Sequence, residues 1–499
     1  MKENKFVRFI TSKYLVLTVQ LIATAVFTYF IFVLNIIPLK HLIPIIVILA
    51  LLIIIFFIIM YSGQKKQKQG LRSKRGAITK IISLLISIVL MIGTTYIMRS
   101  ESFFNNVTDV STQKYLVSVI TMKDNEKTKL EQFDGDKFGV SYQHDSTTIA
   151  KAISDMEDEI GEQEYTRYDE YSMLADALYE GKVDAIVVGQ EYKSMLEANH
   201  ENFDNETKVI KSYEYDAKLS VTTKQTDVTE NPFNVYVTGI DTYGSVNTVS
   251  RSDVNLIVTV NPKTKQILMT SIPRDCEIEL HKNGKMDKLT HTGIYGVEET
   301  ISTIEDFLDL DVNYYARTNF SGITNIIDAL GGVTVDSDYE FTTRHGNYHI
   351  VKGENELDGD KGLCFVRERY NLPSGDYDRG RNQQKLLKAM LNKAMSPKII
   401  TNFQRILTAI EGCFETNMSS DEIKSLINMQ LDDNAEWDVF NVQLDGKGYM
   451  TDQTYSMHGT SIYVMKPYAS YVKKITKLID CVENGDKITE NDVKDLGGE

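Results

Sequence analysis

Three long apolar stretches, residues 14–37, 42–60 and 81–98, open the chain, and beyond residue 99 the pattern changes to short alternating periods. Each stretch approaches or exceeds the roughly 20 residues that a helix needs to cross a hydrocarbon layer. Three membrane spans are therefore predicted. A cleavable leader would show one apolar run of about 7–15 residues and a small-residue cleavage site; three runs without such a site predict a retained anchor. Lys2, Lys5, Arg8 and Lys13 precede the first run, and Lys65, Lys66, Lys68, Arg72, Lys74 and Arg75 separate the second from the third. Only Lys40 and His41 stand between the first two. Because basic loops stay cytoplasmic, a multi-pass cell-membrane protein is expected, with a cytoplasmic N-terminus and everything after Arg99 outside the cell.

Residues 114–219 alternate strand and helix signals: KYLVSVITM and KFGVSY, a helix opening at Asp145/Ser146, YSMLADALYEG stopping at Gly181, and the buried strand VDAIVVG. This predicts a small α/β unit. It resembles half of a solute-binding protein, a likeness too weak to carry any ligand residue across. After a linker at 222–232, NVYVTGID reads as a strand delivering Asp241 at its end, and LIVTV-NPKTK-QILMTSI as a hairpin delivering Pro273, Arg274 and Asp275. Ser321 is expected to cap a helix bearing Ile323, Ile326, Ile327 and Leu330, while Leu386, Leu387, Met390, Leu391 and Ala394 line another. Helices alternating with strands imply helical layers on a central sheet. The expected division is 1–99 anchor, 100–229 accessory domain and linker, 230–398 catalytic domain, and 399–499 completion of that fold with an acidic tail.

Charge sharpens the picture. Residues 1–76 hold 11 Lys/Arg and one acid, leaving 43 Lys/Arg against 68 Asp/Glu in the rest. Against that acidic background Arg367, Arg369, Arg379 and Arg381 fall within fifteen residues, in a chain that uses 14 Arg and 40 Lys. Arginine stays charged and offers a planar fork that grips phosphate or carboxylate bidentately. Together with Arg251 and Arg274 the cluster predicts an oxyanion site, the plain alternative being a solvated ion network. Asp241 and Asp253 add the hard oxygen donors of a magnesium-assisted phosphate site, or else pair structurally with Arg251 and Arg274. Arg379 lies where its segment turns helical, with Gln383 one turn later on the same side.

Other chemistries find no motif. The chain has no GxxxxGK[ST] loop, HExxH, GxSxG elbow or post-strand GxGxxG. Cys276, Cys364, Cys413 and Cys481 form no CxxC pair and read as free thiols.

GIDTYGSVNTVSRSDVNLIVTVNPKTKQILMTSIPRD, DKLTHTGIYGVEETI, NYYARTNFSGITNIIDALGGVTV and CFVRERYNLPSGDYDRGRNQQKLLKAMLNKAMSP resemble the LytR-CpsA-Psr family, nearest to its streptococcal capsule-associated type. The resemblance implies that family's α-β-α layered fold. It also implies a phosphotransferase that moves a glycopolymer, capsular or a related wall polymer, from a polyprenyl-pyrophosphate carrier to peptidoglycan. Mapped by motif, Asp241 and Asp253 would hold Mg²⁺, and Arg274, Arg367, Arg369 and Arg379 would bind the pyrophosphate. Arg251, Lys288, Asp376 and Gln383 fall at supporting positions, with Arg381 as a further substrate contact. Gly362 and Cys364 depart from the alanines usual before RER, a change of packing rather than charge. The expected partners are the lipid-linked polysaccharide, peptidoglycan, the membrane and capsule-assembly proteins.

Two other function classes are open at this point: a membrane sensor or regulator of capsule expression, and a non-catalytic binder of polyprenyl phosphate. The cytoplasmic pieces fall short of the ~50 residues of a domain, so no nucleic-acid partner is expected.

Overall fold

A computed structural model describes residues 12–68, 74–108, 112–142, 146–197, 199–200, 202–219, 221, 223–240, 245–396 and 399–494. Asp241 and the side chains of Lys2, Lys5, Arg8, Lys65, Lys66, Lys68, Arg72 and Lys74 lie outside the described residues. The chain divides into two units: residues 1–106 with 400–408 and 419–436, and the remainder.

In the first unit, the helices Lys13–Leu34, Leu39–Lys68 and Lys74–Thr108 carry the apolar runs and are long enough to cross a membrane. Most of their large apolar side chains face outward, as lipid-facing helices require. Polar side chains turn inward instead: Ser83 Oγ donates to Gln20 Oε1 at 2.5 Å between the first and third helices. A later segment, the helix Ser420–Asp433, belongs to the same unit, where its buried Lys424 pairs with Glu101 at 2.8 Å.

The second unit contains two separate sheets. β1 (Thr112–Met122), β2 (Lys137–Val140), β3 (Glu164–Arg167), β4 (Ala185–Gly189) and β5 (Thr207–Lys218) form the smaller, in the order β3-β2-β4-β1-β5. Strand alternation sends Val117, Val119 and Val187 to one face, against Ile149, Ala152 and Met156 of the helix Ser146–Ile160. Ile120, Ile186 and Val188 go to the other, against Leu174 and Leu178 of Tyr171–Tyr179.

The central sheet uses β6 (Phe233–Ile240), β7 (Ser252–Asn261) and β8 (Gln266–Ser271). Its order is Phe414–Thr416, Tyr314–Thr318, β6, β7, β8, Asp438–Gln443. Tyr236, Ile257, Leu268, Tyr315 and Phe440 share one face with Ile301, Ile304 and Leu308 of the helix Val297–Leu308 and Ile475, Ile479 and Val482 of Ala469–Asn484. Val235, Val237, Val258, Ile267 and Met269 point the opposite way, onto Leu387 and Leu391 of Asp376–Ala394. Each fully buried side chain among these contributes roughly 1.5–3 kcal/mol to holding the three layers together. Leu387 thus belongs to the core.

Two local features differ from the pattern reading. The helix Phe320–Ala329 is capped by Asn319, whose side chain accepts the N–H of Gly322, so Ser321 lies inside it. Residues 399–499 are shared between the units: Asp438–Gln443 extends the central sheet, whereas 419–436 group with the membrane helices. All four cysteines are unpaired.

Candidate active site

Tyr314–Thr318, β6, β8 and Asp438–Gln443 run parallel, with β7 antiparallel between β6 and β8, so the carboxyl ends of four strands and the start of β7 open on one edge of the sheet. Ligands of such sheets bind at that edge. There Gly239, Ile240, Asp253, Val254 and Arg274 line a cavity of about 330 Å³. The helices Phe320–Ala329, Gly359–Arg367 and Asp376–Ala394 close it with Phe320, Ile323, Leu363, Arg367, Arg379 and Gln383.

Close approach of the last helix depends on Gly380: a Cβ there would lie 2.9 Å from Gln443 Nε2 and 3.2 Å from Ser271 Oγ. Gln384 holds the same helix down by donating to the carbonyl of Met269 at 3.1 Å. Arg379 is thereby carried, nearly buried, to the strand ends.

The cations fall into two sets. Arg274 Nη1 meets Asp253 Oδ2 at 3.0 Å, with Asp376 Oδ1 3.7 Å from its Nε, and Arg379 Nη2 meets Asp376 at 2.8 Å. Thr290 Oγ1 donates to the second oxygen of Asp253 at 3.1 Å. Burial opposes charge on Asp253, but Arg274, Arg251 and Arg379 outweigh it and hold the carboxyl well below its usual range. Burial, together with Arg274 and Arg369, pulls Arg379 below its ordinary value, the mark of crowded cations; an arginine stays charged regardless. Among the described residues, by contrast, Arg344, Arg367 and Arg369 have no carboxylate within ion-pair distance. Arg367 lies 4.1 Å over the ring of Phe320, and Arg344 and Arg369 lie 4.3 and 4.6 Å over that of Tyr370.

Arg367 and Arg369 reach the same cavity because the helix ends between them. Glu368 turns to extended backbone, φ −66°, ψ 134°, and its buried carboxylate collects the N–H groups of Arg369, Tyr370 and Asn371 at 2.9–3.0 Å and that of Arg344. Burial works to raise the Glu368 carboxyl, and these four donors overcome it and leave it lowered.

The remaining predicted residues are placed differently. Lys288 binds Asp275 at 2.9 Å and, with Asp376, faces a neighbouring cleft rather than the cavity. Arg381 turns away to Asp338 and Asp378, at 2.6 and 3.5 Å, and lines neither space. Arg251 acts on Asp253 from a half-buried position. Among the described residues no group of three or more His, Cys, Asp or Glu gathers as a metal cage. Among the described residues two carboxylates line the cavity; Glu368 is taken up by backbone N–H groups, which leaves Asp253 as the hard-oxygen donor for a magnesium ion that takes one or two carboxylates and fills its shell with phosphate oxygens and water.

The pattern reading missed Arg344, Glu368 and Tyr370. Glu368 and Tyr370 sit inside the RERY motif itself, and an acid between two arginines is a usable signal for a turn that needs an acceptor. Arg344 comes from a distant hairpin, and nothing local announces it.

A membrane-anchored α/β protein with an arginine-lined anion cavity at the carboxyl edge of its sheet is the class this geometry defines. The chain belongs to the LytR-CpsA-Psr family: residues 188–471, more than half its length, match the sequence model of the LytR_cpsA_psr family. Similar proteins include the polyisoprenyl-teichoic acid–peptidoglycan teichoic acid transferase TagU of Bacillus cereus, 34% identical over 44% of this chain and 70% of the relative. TagU of Enterococcus faecalis is also 34% identical, over 45% and 73%. Among solved structures, B. subtilis TagU shares 30% identity over 52% of this chain and 100% of that chain, with a TM-score of 0.41. TagT bound to LI-WTA shares 26% over 54% and 94%, also with a TM-score of 0.41.

Proposed function

We propose that this protein is a membrane-anchored phosphotransferase that moves a capsular or related wall glycopolymer from a polyprenyl-pyrophosphate carrier to peptidoglycan outside the cell. The observation that carries the reading is the set of three guanidinium groups, Arg344, Arg367 and Arg369, with no carboxylate at ion-pair distance among the described residues, in a cavity whose lining also includes apolar side chains. A lipid diphosphate has the matching halves. Its hydrocarbon would lie against Ile240, Val254, Phe320, Ile323 and Leu363, and its phosphates against the arginines.

Attack by an acceptor hydroxyl on the sugar-side phosphorus forms the new phosphodiester and expels polyprenyl phosphate, so charge grows on the equatorial and leaving oxygens. Positioned cations stabilise that charge without a covalent intermediate. Arg274 and Arg379, held by Asp253 and Asp376, supply fixed positive charge beside the forks of Arg367 and Arg369, which lie over aromatic rings. Gln383, whose amide lies 3.5 Å from the carbonyl of Val366, adds a neutral donor. Asp253, with Asp241, would hold Mg²⁺, which when bound draws electron density from a phosphate oxygen.

The test uses the purified full-length protein in detergent, Mg²⁺ and a polyprenyl-diphosphate-linked saccharide, following loss of the diphosphate. Arg367→Ala and Arg369→Ala should each slow turnover at least tenfold, the scale of single charge-stabilising donors. Unchanged rates in both would refute the assignment.

A further inference from the structure

Arg274, Arg369 and Tyr370 wall two spaces at once. On one side lies the cavity described above. On the other lies a more open cleft of about 810 Å³ that adds carboxylates and phenols to the shared arginines: Asp275, Lys288, Asp376 and Asp445 face it, with the rings of Tyr377 and Tyr463. Its outer wall is the hairpin formed by Gly446–Thr451 and Ile462–Pro467, which lies outside every motif quoted above.

The fold places Tyr463 with care. Its ring lies across Gly448, where a Cβ would come within 2.7 Å of two ring atoms, so only glycine leaves the ring in position. The side chain is 47% exposed, an aromatic face left open to the cleft. Asp445 Oδ1 accepts the N–H of Gly446 at 2.7 Å, which ties the carboxylate to the rim. Burial first, then Asp275, Asp376 and Asp445, push the Tyr463 phenol up, so it remains a neutral donor. A flat aromatic face ringed by carboxylates and hydroxyl donors matches a sugar, which offers a face of C–H groups and a rim of hydroxyls that both donate and accept.

We infer that this cleft is a carbohydrate site, with Tyr463 as the platform for a pyranose ring and Asp445 as an acceptor of its hydroxyls, seating a sugar beside the arginines. The inference deepens the transferase reading and rests on it for the identity of the neighbouring diphosphate. Binding of the sugar needs no turnover, so the two can fail separately.

Full-length protein in detergent is titrated by saturation-transfer NMR with two lipid-free probes, a peptidoglycan glycan fragment and the saccharide released from the donor lipid. At least one should bind. Tyr463→Ala and Gly448→Ala should each weaken it about tenfold, the loss of one ring contact and its hydrogen bond, and Tyr463→Phe by no more than about threefold. Co-purifying polyprenyl phosphate should stay constant in all three variants, reporting an intact cavity and fold. Binding of the glycan fragment assigns the cleft to the acceptor, and binding of the released saccharide assigns it to the donor. Failure of the wild type to bind either probe, or indifference of binding to Tyr463→Ala, would overturn the inference. Sugar binding without any transfer would instead count against the transferase reading alone.

Discussion

Arg317 and the Arg367–Arg369 turn belong to one unit and use the same chemistry to opposite ends. Arg317 and Glu415 are direct cross-strand partners, 2.5 Å apart and each about 3% exposed. The pair is closed on itself, and burial pushes the Glu415 carboxyl up even beside its arginine. Arg367 and Arg369 have aromatic rings and a cavity before them, with Arg369 also donating to the Tyr370 hydroxyl and no carboxylate at ion-pair distance among the described residues. The acid between them, Glu368, gives its oxygens to backbone N–H groups. Arg317 spends its charge on a carboxylate supplied across the sheet, whereas at the Arg367–Arg369 turn the nearby carboxylate is diverted to the main chain and the guanidinium groups face the cavity.

The largest effect should come from breaking the closed pair. Arg317→Ala strands a buried carboxylate and should destabilise the protein by about 3–5 kcal/mol, measured by denaturant unfolding, while Arg317→Met with Glu415→Leu should recover most of it. Next, Arg367→Ala should lower turnover by about 10²–10³-fold, or roughly 2.7–4 kcal/mol, with the unfolding midpoint unchanged. A shared drop in stability would erase the distinction.

Glu368 tests what separates the regions. Its lowered folded pKa means its stabilisation is fully present above the unfolded value of about 4.3 and is lost as pH falls through the folded one. The protection factors of the Arg369, Tyr370 and Asn371 amides, corrected for the intrinsic exchange rate at each pH, should therefore fall on acidification below about pH 4 in the wild type. Glu368→Gln should lack that step and run about 1 kcal/mol less stable at neutral pH. The smallest effect is expected for Arg344→Ala, a loss of about three- to tenfold in lipid-diphosphate affinity with maximal rate preserved, seen as a KM change.

Much of this was open to reading along the chain. Three apolar runs need no partner to declare membrane helices, because hydrocarbon thickness alone sets their length. The β7–β8 hairpin and the helix Asp376–Ala394 likewise follow from local periodicity. Short-range geometry misleads where an element ends or turns. Arg379 and Arg381 are neighbours in the arginine cluster, yet two positions on a helix rotate about 200°, so one faces the cavity and the other pairs with Asp338. Arg367 and Arg369 have the same spacing and converge, because the helix stops between them. Asn319 displaced Ser321 as the cap, since both residues can accept an N–H and only the entry angle of the chain decides which one does.

Residue types and their spacing were enough to determine that the chain has three helices long and apolar enough to cross a membrane, folds beyond them in sequence into helices on a sheet, and concentrates arginine in one short segment. Tertiary structure alone decided which arginines are satisfied by the protein and which are not. It also brought Arg344 to Tyr370 and set Tyr463 in the cleft that shares a wall with the arginine-lined cavity. Those facts depend on contacts between segments far apart in sequence, and local propensity carries no information about a partner that only packing brings near.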